Sequence, residues 1–226
     1  MDLTETGFDD GARVVVEQHG DEQWIVWQSF RYQAARDVYT VPRGMCTDFA
    51  SVPRPFVWYL PRYGPYTLAA VLHDHLWRDL AANGLLPYTH ADGIFRRAMR
   101  ELEVPFLHRW LMWGAVRWGA LLKPHGREGW AADAPRVLLL TLVALPIMAA
   151  PVAAILAAMV QLYALEVLLW VPLRVHAWWV RLRGGTPEKE VVRPRLELRL
   201  QGGRADDCPP AGWVGELAPD LRPARG

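Results

Sequence analysis

The spacing of apolar and polar positions changes along the chain, and each spacing predicts a different kind of structure. Residues 12–18 and 23–30 are rich in β-branched and aromatic side chains and are separated by His19-Gly20-Asp21-Glu22, which predicts a β-hairpin. Residues 37–42 predict a third strand. The chain is therefore expected to begin with a small N-terminal antiparallel β-meander.

Helical spacing follows the strands, and prolines and a capping pattern mark the helix starts. Pro65 and Pro105 each suit the first turn of a helix. Thr89 and Asp92 resemble a capping box, with Asp in place of the usual Glu or Gln. Three helices are expected over about residues 66–80, 89–102 and 105–122. Strands followed by helices predict an α+β fold, and we assign this small domain to residues 1–125.

An apolar run from Val137 to Leu173 departs from both spacings and contains Glu166 as its single charge. Its roughly 37 residues would form about 55 Å of helix, whereas the hydrocarbon core of a bilayer is about 30 Å thick. With its flanking interfacial residues, this hydrophobic helical segment is assigned to residues 136–183. We expect residues 137–173 to contact a lipid bilayer or partner subunits, and an oligomer is compatible with either.

Three arrangements of the apolar segment remain open. The first is a single transmembrane span near Val137–Val160, followed by an interfacial helix through Trp179. The second is a transmembrane hairpin bent near Pro146 or Pro151, which would place the basic residues at both ends on the cytoplasmic side. The third is a long soluble hairpin buried in a partner assembly.

Composition favours a membrane setting over nucleic-acid binding. The formal net charge is +1 at pH 7, so no specific nucleic-acid partner is predicted. The chain has 12 tryptophans, many of them beside basic residues or the apolar run, as is typical of a membrane–water interface. Residues 1–11 are acidic and polar, so we do not expect secretion by a signal peptide.

The composition of residues 184–226 predicts a polar, largely disordered tail, with an edge strand at 191–200.

The first group of residues with candidate chemistry lies in Thr47-Asp48-Phe49-Ala50-Ser51-Val52-Pro53. In a functional interpretation, Asp48 is a metal ligand or an acid–base group, and Ser51 is a nucleophile or a binding hydroxyl. In a structural interpretation, both side chains bond neighbouring backbone amides in a turn.

The second group, His73 and Asp74, follows an apolar run on the first predicted helix. Adjacent side chains on a helix diverge by about 100°, so the two can converge only on a group held by another segment. Asp74 also has Arg78 as a pairing partner at i,i+4. His73 equally suits a hydrogen-bonded core histidine, and Asp92 suits the third residue after a Thr cap.

These residues allow two classes of function. The candidate catalytic residues are Asp48, Ser51, His73 and Asp74, and the candidate metal ligands are His73, Asp74 and Asp92, with Asp48 as the alternative to Asp92. Such ligands suit a divalent metal such as zinc or manganese, which would activate a water molecule for hydrolysis. A triad of Ser51, His73 and an Asp would lack the glycines of a nucleophile elbow. In the non-enzymatic class, the same side chains form a polar network that fixes a small fold.

The motifs resemble one known family. The resemblance is carried by Tyr39-Thr40-Val41-Pro42-Arg43-Gly44, Thr47-Asp48-Phe49-Ala50-Ser51-Val52-Pro53, Ala70-Val71-Leu72-His73-Asp74, Ala91-Asp92 and Ala98-Met99. These look like the phage and prophage family known as domain of unknown function 1353, over roughly residues 25–120. The resemblance implies a viral context rather than a reaction, because the family has no established activity. The chain departs from the family pattern at His75-Leu76-Trp77 and in the apolar extension after Leu122.

The sequence therefore predicts a membrane-associated phage or prophage protein that carries a small polar His/Asp site. It would act as a virion component or by contact with the host envelope. The alternative is a membrane-anchored, metal-dependent hydrolase. The expected location is the membrane of the bacterial host cell, or the virion.

Overall fold

The computed structural model describes residues 6–19, 23–50, 52–123, 125–186 and 192–196. Within these residues, six short strands form two three-stranded antiparallel sheets. The strands are β1 (Gly7–Phe8), β2 (Val16–His19), β3 (Gln23–Val26), β4 (Phe30–Gln33), β5 (Val38–Val41) and β6 (Cys46–Thr47). One sheet has the order β1-β4-β5 and the other β2-β3-β6. Because β6 returns to pair with β3, with Thr47 opposite Trp24, the polar run after Thr47 begins at the edge of a sheet.

The helices follow in the order that the spacing predicted, so the α+β class is confirmed. They are α1 (Thr67–His75), α2 (Tyr88–Glu101), α3 (Phe106–Ala120) and α4 (Trp130–Leu182). A π-helical segment, Leu76–Ala81, continues α1. Short 3-10 turns occupy Arg54–Phe56 and His125–Arg127.

The hydrophobic core lies between the strands and the first two helices. Val26 and Val41 from the sheets meet Leu72 from α1 and Ile94 from α2, and each of these side chains is completely buried. The alternation along β5, where Tyr39 and Val41 are buried and the residues between them are exposed, is that of a strand with one face on the core. This packing fixes α1 against the sheets and thereby positions the polar side chains on its other faces.

The capping box predicted for α2 is wrong. The helix begins at Tyr88, its N-cap is Pro87, and no side chain bonds to the cap. Asp92 is completely buried, because its carboxylate bonds to side chains of other helices rather than to its own helix start.

The apolar segment forms one uninterrupted helix, α4, of 53 residues, which corresponds to about 80 Å. Pro146 and Pro151 both lie inside it. The turn that either hairpin arrangement requires is therefore absent. The first arrangement differs from the structure as well, because no break separates Val137–Val160 from the residues through Trp179.

The first part of α4 packs antiparallel along α3. Trp118 Nε1 donates to Thr141 Oγ1 at 2.9 Å, and a Cβ added at Gly114 would lie 3.5 Å from a side-chain carbon of Leu140. Farther along, α4 exposes many apolar side chains, among them Leu162 at 62% and Leu168 at 68%. By length and composition α4 can cross a membrane, and its most apolar stretch is not buried against the rest of the protein. Core helices of soluble proteins meet the same length and composition test.

Part of the predicted C-terminal tail can be compared with the structure. Residues 192–196 form no strand. The remainder of the predicted edge strand at 191–200, and residues 201–226, lie outside the described residues.

Candidate functional site

Two buried polar clusters lie on different sides of α1. Asp74 and Arg78 bond to Thr47 and Asp48, whereas His73 and Trp77 both bond to Asp92. The first pair faces the loop after β6, and the second pair faces α2. The predicted residues are thus brought together in two separate groups.

The first cluster joins Thr47 and Asp48 to the first of these faces. Thr47 Oγ1 donates to Asp74 Oδ2 at 2.6 Å, and Arg78 Nη2 donates to Asp48 Oδ1 at 2.5 Å. Asp48 is 2% exposed and Asp74 9%. The ion pair of Arg78 is therefore with Asp48 across the fold, whereas the sequence suggested Asp74 on the same helix.

A tight turn holds Asp48 in this position. Phe49 has a φ of 59°, which is unusual for a bulky side chain because its Cβ crowds the backbone in the left-handed region. The Phe49 amide donates to Thr47 Oγ1 at 3.0 Å, and the Phe49 ring packs 5.6 Å from the ring of Trp24. The turn chemistry expected for this segment is thus carried by Thr47. Ser51 lies outside the described residues, so its predicted role as a nucleophile stays a prediction.

The charges of the first cluster make Asp74 an unusual carboxyl group. Burial raises the pKa of Asp74 to about 7, the nearby charge of Asp48 adds to the rise, and Arg78, Thr47 and His73 act in the opposite direction. Two carboxyl groups thus share one guanidinium group. A carboxyl group that titrates near neutral pH can donate or accept a proton in catalysis.

The second cluster is centred on Asp92 of α2. His73 Nε2 lies 2.8 Å from Asp92 Oδ1, and Trp77 Nε1 donates to the same oxygen at 2.6 Å. Arg117 Nη1 of α3 donates to Asp92 Oδ2 at 2.8 Å. Burial acts to raise the pKa of Asp92, but His73, Arg117 and Trp77 outweigh it, so the pKa lies below its ordinary value.

Arg117 extends this cluster to the start of α4. Its Nε lies 3.1 Å from Asp133 Oδ2, although the two atoms are not aligned as a hydrogen bond. Trp130 Nε1 donates to the backbone oxygen of Arg117 at 3.0 Å. The sequence indicated Arg117 only as one of the basic residues before the apolar segment. A signal was available, since Arg117 follows Trp113 at i,i+4 and is the single charged residue between Trp110 and Leu122.

The predicted metal ligands are divided between the clusters. His73 and Asp92 bond directly to each other, whereas Asp74 faces the loop after β6 and bonds Thr47. Within the described part of the chain, no group of three or more His, Cys, Asp or Glu side chains could hold a metal ion. Metal binding and catalysis by these residues stay predictions.

Fold and site together define a small α+β domain with two buried carboxylate clusters, followed by a long apolar helix. Residues 24–116 match the family model described as "Protein of unknown function (DUF1353)", which confirms the family resemblance over that part of the chain. Asp48, His73, Asp74 and Asp92 fall within the match, whereas Arg117 and α4 follow it. No curated protein matches the chain, and neither does any solved structure.

Proposed function

We propose that the protein is a membrane-anchored component in which α4 crosses the bilayer and the α+β domain is fixed to the start of that helix. The observation that carries the proposal is the exposed apolar surface of α4, on which Leu162, Leu165 and Leu169 are all more than half exposed. An apolar surface of this length is costly in water, whereas lipid chains would cover it.

Lengths and side chains support a span over residues 149–173. These 25 residues correspond to about 37 Å of helix, enough for a hydrocarbon core of about 30 Å. Trp178 and Trp179 follow the span, and the guanidinium of Arg183 lies 3.4 Å from the ring centroid of Trp179. Aromatic and basic side chains of this kind are typical of a membrane interface. Glu166 lies inside the span, about 10 Å from its end, and an ionisable side chain at this depth is a cost that the apolar residues of the span must outweigh.

In this proposal the two carboxylate clusters are structural. The buried Arg117 of α3 pairs with Asp92 of α2 and lies within ion-pair distance of Asp133 of α4, so the domain is held against the anchor. The viral context that the family resemblance implies supports a role as a component of a virion or of the host envelope, in which the protein acts by contact.

Membrane fractionation tests the anchor. The full chain should remain in the membrane pellet after an alkaline carbonate wash and should be extracted by detergent. The double substitution Leu162→Lys and Leu165→Lys should release it, because charged side chains at mid-span cost about 2.5–3.5 kcal/mol each on insertion scales. Leu122→Lys is the matched control, since Leu122 is 76% exposed but lies before α4. A full chain that is a monodisperse monomer without detergent would refute the proposal.

A second candidate function is a membrane-anchored hydrolase. It is favoured by the pair Asp48 and Asp74, where a carboxyl group with a pKa of about 7 lies next to a second carboxyl group. Purified full chain would be incubated with isolated bacterial envelopes, and soluble fragments would be measured for wild type, Asp74→Asn and His73→Ala. Metal analysis of the same sample tests the metal-dependent form. The candidate fails if release is absent, or if it is unchanged in both folded variants.

A further inference from the structure

The packing of α3 on α4 shows where the domain ends along the long helix. The helices are antiparallel, and Gly114 lies beside Leu140. Eight residues back along α3 is Phe106, and eight residues forward along α4 is Met148. Since both helices rise about 1.5 Å per residue, the first turn of α3 is level with Met148, which is 9% exposed. Beyond this level, α3 no longer accompanies α4.

This level coincides with the start of the proposed span at residue 149. The surface of the domain around Phe106 therefore lies where α4 would enter the bilayer. The loop after the 3-10 turn Arg54–Phe56 reaches the same place, since the rings of Tyr59 and His108 stack 4.7 Å apart and His108 Nε2 lies 3.1 Å from Tyr59 O.

Aromatic side chains are exposed at this end of the domain. Phe106 is 66% exposed and Trp58 45%. Phe106 lies 6.1 Å from Trp110, ring centroid to ring centroid. Large exposed aromatic side chains are unfavourable against water but are typical of the zone between lipid headgroups and acyl chains.

Arginines are interleaved with these rings. The guanidinium of Arg96 lies 4.3 Å from the centroid of Trp110, and that of Arg109 lies 5.3 Å from the centroid of Phe106. Burial lowers the pKa of Arg96, and the charges of Arg100 and Arg109 lower it further. Arg96 and Arg109 thus lie over aromatic rings, and Arg100 lies nearby, with Nη2 3.9 Å from Glu101 Oε1. An anionic partner would relieve the repulsion that remains among the three cations.

We infer that this cationic aromatic patch, formed by Trp58, Arg96, Arg100, Phe106, Arg109 and Trp110, lies in the lipid headgroup layer and binds the phosphates of anionic lipids. The inference rests on the proposed membrane anchor, which brings the patch to the bilayer surface. The arginines pair with phosphate groups, while the aromatic rings lie at the boundary of the acyl chains. The domain would then be held flat against the membrane rather than free above it.

Photo-crosslinking in lipid nanodiscs tests this placement. The full chain would carry p-benzoylphenylalanine at one position, in nanodiscs of phosphatidylcholine and phosphatidylglycerol, and adducts would be identified by intact mass. Positions 106 and 58 probe the patch. Position 162 probes the span, and position 85 is the control, because Leu85 is 72% exposed in the turn before α2. We expect lipid adducts at positions 106, 58 and 162 and none at 85.

The outcomes separate the inference from the anchor on which it rests. Lipid adducts at 162 without any at 106 and 58 would overturn the inference and leave the anchor intact. Absence of lipid adducts at all four positions would overturn both. Adducts of position 106 to a second copy of the chain would also overturn the inference, since the patch would then be a protein interface.

The arginines provide an independent measurement. The yield of lipid adduct at position 106 should be higher in nanodiscs that contain phosphatidylglycerol than in nanodiscs of phosphatidylcholine alone, because the arginines would bind the anionic lipid. The double substitution Arg100→Gln and Arg109→Gln should lower the yield of lipid adduct at 106 by at least about threefold, because basic residues near an anionic surface strengthen binding to it, without changing the yield at 162. An unchanged yield at 106 would exclude phosphate binding by these arginines.

Discussion

Arg117 and Asp92 form an ion pair in which both side chains are completely buried, with Nη1 2.8 Å from Oδ2. The pair joins α3 to α2, and Arg117 lies within ion-pair distance of Asp133 at the start of α4. Removing two charges from water is costly, so such a pair adds little net stability compared with apolar packing. The pair instead favours one arrangement of the helices, because Asp133 of α4 reaches Arg117 of α3 only in that arrangement.

The first prediction concerns removal of Arg117. Arg117→Met should lower the free energy of unfolding by about 3–5 kcal/mol, because the buried Asp92 carboxylate would lose its guanidinium partner and keep only the bonds from His73 and Trp77. Urea unfolding in mild detergent measures the change. Asp133→Asn is the matched control and should cost less, since the Asp133 side chain is 19% exposed. Adding Asp92→Asn to Arg117→Met should recover part of the loss, and equal losses in Arg117→Met and Asp133→Asn would contradict this account.

The second prediction concerns the pH dependence of stability. The pKa of Asp74 is raised from 3.8 to about 7 in the folded protein, so between these values the folded state binds a proton that the unfolded state has lost. The contribution of Asp74 to the free energy of unfolding is therefore largest below about pH 4 and falls as the pH rises toward 7. At about 1.36 kcal/mol per pKa unit, this decline amounts to a few kcal/mol. Asp74→Asn should abolish it.

Unfolding curves from pH 4.5 to 8 would measure the effect, with Asp92→Asn as the contrast. The pKa of Asp92 is lowered, so its ionised form stabilises the fold and this contribution is lost only as the pH falls below about 4. Asp92→Asn should therefore destabilise the protein across the measured range. A decline in stability toward pH 7 that persists in Asp74→Asn would assign the titration to another group.

The third prediction concerns the hydroxyl of Thr47, which bonds Asp74 and receives the Phe49 amide. Thr47→Val keeps the shape but removes both bonds, so the protein should lose about 1–3 kcal/mol. Because Thr47 acts to lower the pKa of Asp74, the substitution should also move the Asp74 transition to higher pH. Thr47→Ser retains the hydroxyl and should leave that transition in place. If both variants shift it equally, lost packing is the cause.

Sequence patterns predicted the class of fold because they report on local periodicity. The hairpin of β2 with β3 and the order of the first three helices follow from alternation, prolines and apolar stripes. Thr47 and Asp74 are 27 residues apart in the chain yet bonded, and such a contact depends on how α1 packs on the sheets. The motif could indicate that both residues matter, but their meeting required the fold.

Asp92 shows the opposite failure. Its spacing from Thr89 imitates a capping box, and local chemistry alone favours that interpretation. In the fold the Asp92 carboxylate is buried and instead bonds to the side chains of His73, Trp77 and Arg117. The single helix α4 likewise could not be predicted, because prolines inside an apolar run are compatible with a bend or with a continuous helix.

The last prediction concerns Gly126, which lies in the 3-10 turn between α3 and α4. A Cβ at this position would lie 2.6 Å from the backbone oxygen of Ala120 and 3.1 Å from Trp77 Cη2. Gly126→Ala should therefore displace the turn or the indole that bonds Asp92, at a cost of about 1–3 kcal/mol.

Gly119→Ala is the matched control in the last turns of α3. A Cβ there meets nothing within 4 Å, so the protein should gain about 0.5–1 kcal/mol from the higher helix propensity of alanine. Thermal unfolding in detergent should thus move in opposite directions for the two variants, by roughly 2–4 °C per kcal/mol for a chain of this size. A rise in Tm for Gly126→Ala would mean that the turn and Trp77 can separate without strain, and that the join between α3 and α4 is looser than the contacts of Arg117 indicate.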